Sequence, residues 1–298
     1  MTHDARRPFG RLMTAMVTPF TRDGSLDLDG AQRLATHLVD EQYNDTLVIN
    51  GTTGEAPTTT DAEKETLLRT VAEAVGDRAR IVAGVGTYST AHTAELARSA
   101  EKAGAAGLLV VTPFYNKPPQ AGVLAHFRAV ADATGLPMLV YDIPGRTGTA
   151  IHTETMCQLA EHPRIVGVKD AKGDVAATSW VLKRTELAYY SGQDPELLAW
   201  LAVGAVGVVG TSTHFTGVGT KQLIEAYERG EVAEALRLHQ ALLPLYTGVF
   251  RTQGTILVKA GLNALGLPAG PVRPPLVDAT DAEIAQLRTD CEDAGVAL

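Results

Sequence analysis

Apolar residues fall in eight short runs, each followed by a longer amphipathic segment. The runs cover residues 12–17, 46–49, 80–83, 107–111, 137–141, 165–168, 188–190 and 206–209. Runs this short, rich in Val, Leu and Ile, suit strands buried on both faces. The segments between them read as helices. Strand then helix, repeated eight times, predicts an α/β chain closed into a parallel (β/α)8 TIM barrel. After the eighth run the pattern is helical only, over residues 231–250, 251–265 and 281–294, with the Gly- and Pro-rich residues 266–271 breaking the last two. The expected organisation is therefore a catalytic barrel over residues 1–230 and a C-terminal helical extension over 231–298.

Helix starts carry their own signals. Thr60-Asp61-Ala62-Glu63 has the spacing of a capping box. Thr153 is expected to cap the helix beginning near Glu154. Asp194 before Pro195 is expected to cap another, since proline at the first helical turn loses no needed N–H.

Composition narrows the class. Hydrophobic residues make up 45% of the 298, enough for a sizeable core, and the formal net charge is -8. No basic stripe is present to neutralise phosphates, so a nucleic-acid binder is not expected. The two cysteines, Cys157 and Cys291, have no metal-ligand spacing and suit a reducing compartment. No basic region followed by an apolar run opens the chain, so no signal peptide is expected and the cytoplasm is the expected location. Residues 197–220 lack Asp, Glu, Lys and Arg, the length of a membrane span. Gly204, Gly207 and Gly210 punctuate that stretch, and a buried helix, a short strand and a loop are expected instead of a span. No His, Asp or Glu cluster has metal spacing, so no metal is expected.

In such a barrel the chemistry gathers at the carboxyl ends of the strands. After the second run comes Gly51-Thr52-Thr53-Gly54-Glu55, a tight loop whose backbone N–H groups suit a carboxylate, or else a plain polar turn. After the fourth comes Tyr115 in a proline-stiffened loop. The fifth ends on Tyr141, whose hydroxyl suits proton transfer. Arg146, five residues on, has the fork geometry for a substrate carboxylate, and a surface salt bridge is its alternative reading. The sixth run is followed at once by Lys169, one of only eight lysines. Burying an ammonium lowers its pKa, and a neutral amine can attack a ketone to form an imine. A structural lysine paired with a carboxylate is the competing reading. Asp170 is adjacent but is expected on the other face of the strand. Lys172 falls in the loop beyond, where solvation is cheap, and His214 reads as a structural histidine.

These motifs, in this order, resemble the dihydrodipicolinate synthase and N-acetylneuraminate lyase family over nearly the whole chain. The signatures are GTTGE at 51–55, YDIPGRTG at 141–148 and VGVKDAKGD at 166–174, while TPFYNKPPQ at 112–120 is similar to actinobacterial members. The resemblance implies a Schiff-base aldolase-type lyase that condenses pyruvate with aspartate semialdehyde, in lysine and diaminopimelate biosynthesis, without a separate cofactor. Lys169 would form the imine and Tyr141 would relay protons. Thr53 would link Tyr141 to Tyr115, itself donated by a neighbouring subunit of a homotetramer. Thr52 and Thr53 would hold the pyruvate carboxylate, Arg146 the carboxylate of the second substrate, and Gly192 and Val209 would border the substrate.

Two departures touch this pattern. Gln193 stands in Ser191-Gly192-Gln193-Asp194 where Ser-Gly-Asp-Asp is usual, and Val209-Gly210-Thr211-Ser212 replaces the usual turn after the eighth run. They leave open a paralogous pyruvate aldolase with a different aldehyde acceptor. A non-catalytic binding protein on the same barrel is a further alternative, against which the intact residue set argues. The positions at which lysine-sensitive relatives carry two histidines, an asparagine and a glutamate hold Asp61, Lys64, Tyr88 and His92, so weak inhibition by L-lysine is expected.

Overall fold

The computed structural model describes residues 7–298; residues 1–6 of the expected barrel lie outside the described residues. Its eight strands are β1 (Leu12–Ala15), β2 (Thr46–Ile49), β3 (Arg80–Gly84), β4 (Gly107–Val111), β5 (Met138–Asp142), β6 (Ile165–Asp170), β7 (Ala188–Ser191) and β8 (Gly207–Gly210). They pair in parallel in chain order, and β1 pairs with β8 to close the barrel. All eight apolar runs became strands because each strand is covered on both sides. Met13, Val48, Val82, Leu109, Leu139 and Tyr190 pack inside the barrel. Leu47, Ile81, Leu108, Val140, Val168 and Tyr189 pack outward against the helices. Strands buried on both faces read as continuous apolar runs, not as alternation.

The stretch at 197–220 is broken into a helix (Leu197–Ala202), β8 and a helix starting at Thr213. Among the described residues no helix is long and apolar enough to cross a membrane. Both cysteines are free. Beyond the barrel, helices run over Val232–Gly248, Gly254–Ala264 and Asp281–Asp293.

The capping box at Thr60 is present in full. Two other caps differ from expectation. Thr153 is the first residue of its helix, and His152, whose N–H is held by Gln120 Oε1 at 3.0 Å, is the cap. Asp194 caps nothing. Its carboxylate is buried and accepts from the N–H groups of Thr211 (3.1 Å) and Ser212 (3.3 Å), tying the loop after β7 to the loop after β8.

Candidate active site

At the carboxyl end of the barrel lies a cavity of about 420 Å³. Lys169, Tyr141, Thr52, Thr53, Arg146 and Gly192 all line it. A larger cavity of about 790 Å³ opens at the opposite end, among Arg7, Arg11, Arg80 and Asp45. Size does not decide between them, because barrel chemistry belongs to the end where the strand carboxyl termini and their loops converge.

Lys169 reaches the cavity because of a local irregularity. Ile165 and Val168, three apart, both pack on the outer side of β6. Strict alternation forbids that. The register shifts between Met138 and Leu139, so that Leu139 pairs with Gly167 and Tyr141 with Lys169. This β-bulge flips the end of the strand and turns Lys169 inward, where an unbroken strand would have sent it into the helical layer. Gly167 is required there, since a Cβ would lie 2.4 Å from the Ala188 carbonyl.

The Lys169 side chain is 5% exposed. Its Nζ sits 4.3 Å from the centroid of the Tyr141 ring. Among the described residues it has no ion pair and no hydrogen bond, so the competing reading of a carboxylate-paired structural lysine does not describe it. Burial lowers its pKa from 10.5 to about 8; the charge of Asp194 opposes that shift and Arg146 adds to it. Tyr141 is also buried, which raises its hydroxyl to about 12, with Arg146 pulling the other way.

The loop after β2 is set by its own backbone. Gly54 N–H donates to Gly51 O at 3.1 Å and Glu55 N–H to Thr52 O at 3.1 Å. The N–H groups of Thr52 and Thr53 find no partner among the described residues, so the pair is available to an anion. Thr18 Oγ1 holds Gly54 O at 2.6 Å from behind. Asn50 and Glu55 flank the loop with φ of +61° and +56°. Non-glycine residues take such angles only when their surroundings impose them.

Arg146, in the short helix Pro144–Thr147, has no ion pair among the described residues, so the surface salt-bridge reading is not what the fold shows. Asp170 points away from Lys169 as expected and accepts from Lys172 N–H (2.8 Å), Gly173 N–H (3.2 Å) and Thr178 Oγ1 (3.2 Å). Lys172 is not freely solvated. Its side chain is 17% exposed and lies 3.9 Å from Asp142. His214 is structural: Val17 N–H donates to its Nε2 and its Nδ1 faces Thr211 O at 2.7 Å. Burial lowers its pKa to about 4.

Three of the expected site residues take the following places within one chain. Thr53 Oγ1 lies 3.3 Å from Thr211 Oγ1. Tyr115, with φ of +71°, leaves its loop outward and is 91% exposed. Val209, expected to border the substrate, is the one correction: it is fully buried inside the barrel and does not line the cavity. Conversely, Tyr246 and Thr255 of the C-terminal helices, with Phe250 in the turn between them, wall one side of the cavity. No pattern in the sequence marks them, because their role follows from docking and not from a local motif. Among the described residues no group of three or more His, Cys, Asp or Glu is placed to hold a metal.

A (β/α)8 barrel with a buried, unpaired lysine at the end of β6, facing a cavity with an arginine and a nest of free N–H groups, defines a class of proteins equipped for amine chemistry on carboxylated carbonyl compounds. The chain belongs to the dihydrodipicolinate synthetase family, whose profile it matches over residues 8–294. It is 70% identical over 288 residues to the 4-hydroxy-tetrahydrodipicolinate synthase of Acidothermus cellulolyticus, covering 97% of this chain and 93% of that one. It is 59% identical to 4-hydroxy-tetrahydrodipicolinate synthase 2 of Streptomyces coelicolor, covering 100% and 99% of the two chains. The crystal structure of the lysine-bound synthase from Cyanidioschyzon merolae superimposes with a TM-score of 0.95 at 41% identity, over 97% of this chain and 99% of that one.

Proposed function

We propose that this chain is a lyase that condenses pyruvate with L-aspartate 4-semialdehyde to give 4-hydroxy-tetrahydrodipicolinate. The observation that carries the reading is the Lys169 amine: buried, unpaired and facing the cavity. As a free amine it attacks the pyruvate carbonyl and expels water, forming an imine whose cationic nitrogen is the electron sink, so the chemistry calls on no separate cofactor. The N–H groups of Thr52 and Thr53 hold the pyruvate carboxylate. Loss of a methyl proton gives the enamine, and its carbon attacks the aldehyde. Tyr141, beside Lys169, carries protons to and from the imine. The amine of the condensed product then displaces Lys169 as the ring closes.

Arg146 binds the carboxylate of the semialdehyde and Gly192 leaves room for it. The Gln193 amide donates to Glu196 Oε1 at 2.8 Å, so it is engaged within the chain and acceptor choice falls to Arg146. Tyr115, exposed in one chain, fits donation into the site of a neighbouring subunit, as in a homotetramer of a cytoplasmic biosynthetic enzyme. Asp61 and His92 bond each other at 2.8 Å and Lys64 donates to Thr59 O, which leaves these groups engaged with the chain itself and supports weak inhibition by L-lysine.

Turnover with pyruvate and aspartate semialdehyde, beside borohydride trapping with pyruvate, tests the reading. A reduced adduct on Lys169 and condensation of the semialdehyde in preference to other aldehydes are expected. An absent adduct would refute the imine, and preference for another aldehyde would refute the acceptor.

A further inference from the structure

The loop proposed to hold the pyruvate carboxylate is clamped from behind by the C-terminal helical segment. Thr255 Oγ1 donates to Thr53 O at 3.1 Å. Lys259 Nζ lies 2.6 Å from Glu55 Oε1, in an ion pair whose side chains are 2% and 1% exposed. The same ammonium donates to Pro271 O at 2.7 Å. Arg273 N–H donates to Glu55 Oε2 at 2.8 Å, and its guanidinium donates to Thr58 O at 2.8 Å. Phe20 is covered by both cations, with Lys259 Nζ at 4.2 Å and Arg273 Cζ at 4.1 Å from its centroid.

A surface loop is mobile by default, whereas an anion nest works only if its N–H groups stay aligned. The left-handed angles at Asn50 and Glu55 raise the energy of the required shape, so that shape needs enforcement. Two buried charges out of water are a weak source of net stability compared with apolar side chains of similar size. Held by Lys259 and by the Arg273 N–H together, the Glu55 carboxylate fixes the end of the loop in direction as well as in position.

We propose that the Glu55–Lys259 ion pair is a positioning device: it sets the carboxylate-binding loop, so that the C-terminal segment governs pyruvate affinity from outside the site. The proposal rests on the functional reading above. Its test is steady-state kinetics of full-length Lys259→Met, with each substrate varied in turn. The expected result is a pyruvate KM raised about tenfold, with the semialdehyde KM within about twofold of the parent. The double variant Glu55→Leu/Lys259→Met removes both charges and is expected to recover thermal stability but not pyruvate KM. Arg251→Ala, which cuts the Arg251–Asp290 pair elsewhere in the same helical segment, is expected to leave pyruvate KM unchanged.

An unmoved pyruvate KM in Lys259→Met would overturn the positioning role. So would a double variant that recovers both properties, or an equal KM rise in Arg251→Ala. If Lys259→Met does not fold, Thr255→Val severs a milder contact to the same loop. A rise in pyruvate KM of about threefold supports the proposal, and no rise overturns it. Borohydride trapping on the parent separates the two levels. No adduct brings down the functional reading and this one with it, whereas a normal adduct with unmoved KM values brings down the positioning role alone.

Discussion

Two lysines are buried in this molecule, one at the end of β6 and one in the helix Gly254–Ala264. Burial lowers both from 10.5 to about 8, with opposing carboxylates in each case. Among the described residues Lys169 has no ion pair, and it faces a cavity. Lys259 is locked against Glu55 and Pro271 O and lines neither of the two cavities described above. Depressed basicity therefore does not distinguish a reactive amine from a structural one. What separates them is the lack of a bonded partner and the space in front of the amine.

That comparison can be broken most severely by exchange of the two roles. Lys169→Ala is expected to lower turnover by about 10⁴-fold or more and to abolish borohydride trapping with pyruvate. Lys259→Ala is expected to keep a trappable adduct on Lys169, and mass mapping of the adduct to Lys259 in the parent would reverse the assignment. Stability should move the opposite way. Lys259→Met strands a buried carboxylate and is expected to cost about 3–5 kcal/mol in denaturant unfolding. Lys169→Met removes a buried ammonium that has no ion pair, and an unchanged or higher midpoint is expected. A loss as large as that of Lys259→Met would mean that Lys169 also has a structural partner.

The pH response sharpens the comparison further. The folded pKa of Lys169 lies below the unfolded value, so the free amine accumulates as pH rises through about 8, and the trapping rate is expected to climb there. By linkage, the unfolded chain binds the extra proton between about 8 and 10.5, so this group makes stability rise with pH across that window. The positive charge of Arg146 contributes to lowering Lys169. Arg146→Ala should therefore move the trapping profile to higher pH while raising the semialdehyde KM. A profile that moves to lower pH would contradict the electrostatic assignment. The smallest effect expected is that of L-lysine: less than about twofold inhibition at millimolar concentration, where a bound effector would stabilise the fold by mass action. A thermal shift with L-lysine, read beside the rate, checks it.

The eight strands were legible in the sequence because coverage on both faces forces continuous apolar runs. Lys169 was legible because a cation directly after such a run has no cheap solvation. The bulge that turns Lys169 inward was not, since Val166 and Gly167 look like ordinary strand residues and only pairing with β5 reveals the shift. Asp194 carried a local capping signal that lost to a distant demand from the N–H groups of Thr211 and Ser212. Lys259 and Thr255 sit in a helix of ordinary pattern, and their partners lie near the other end of the chain. Tyr115 was singled out by its loop, and within one chain it faces outward.

The hydrogen bond from Thr255 to Thr53 joins residues 202 positions apart. During synthesis the loop after β2 is made early and its clamp late, so it waits roughly 10–40 s at the pace of translation for its partner. The first strand waits about as long for β8 to close the barrel. A nascent chain thus carries Lys169 before it has a finished pocket, so the chemistry proposed for that amine waits for the C-terminal helices to arrive.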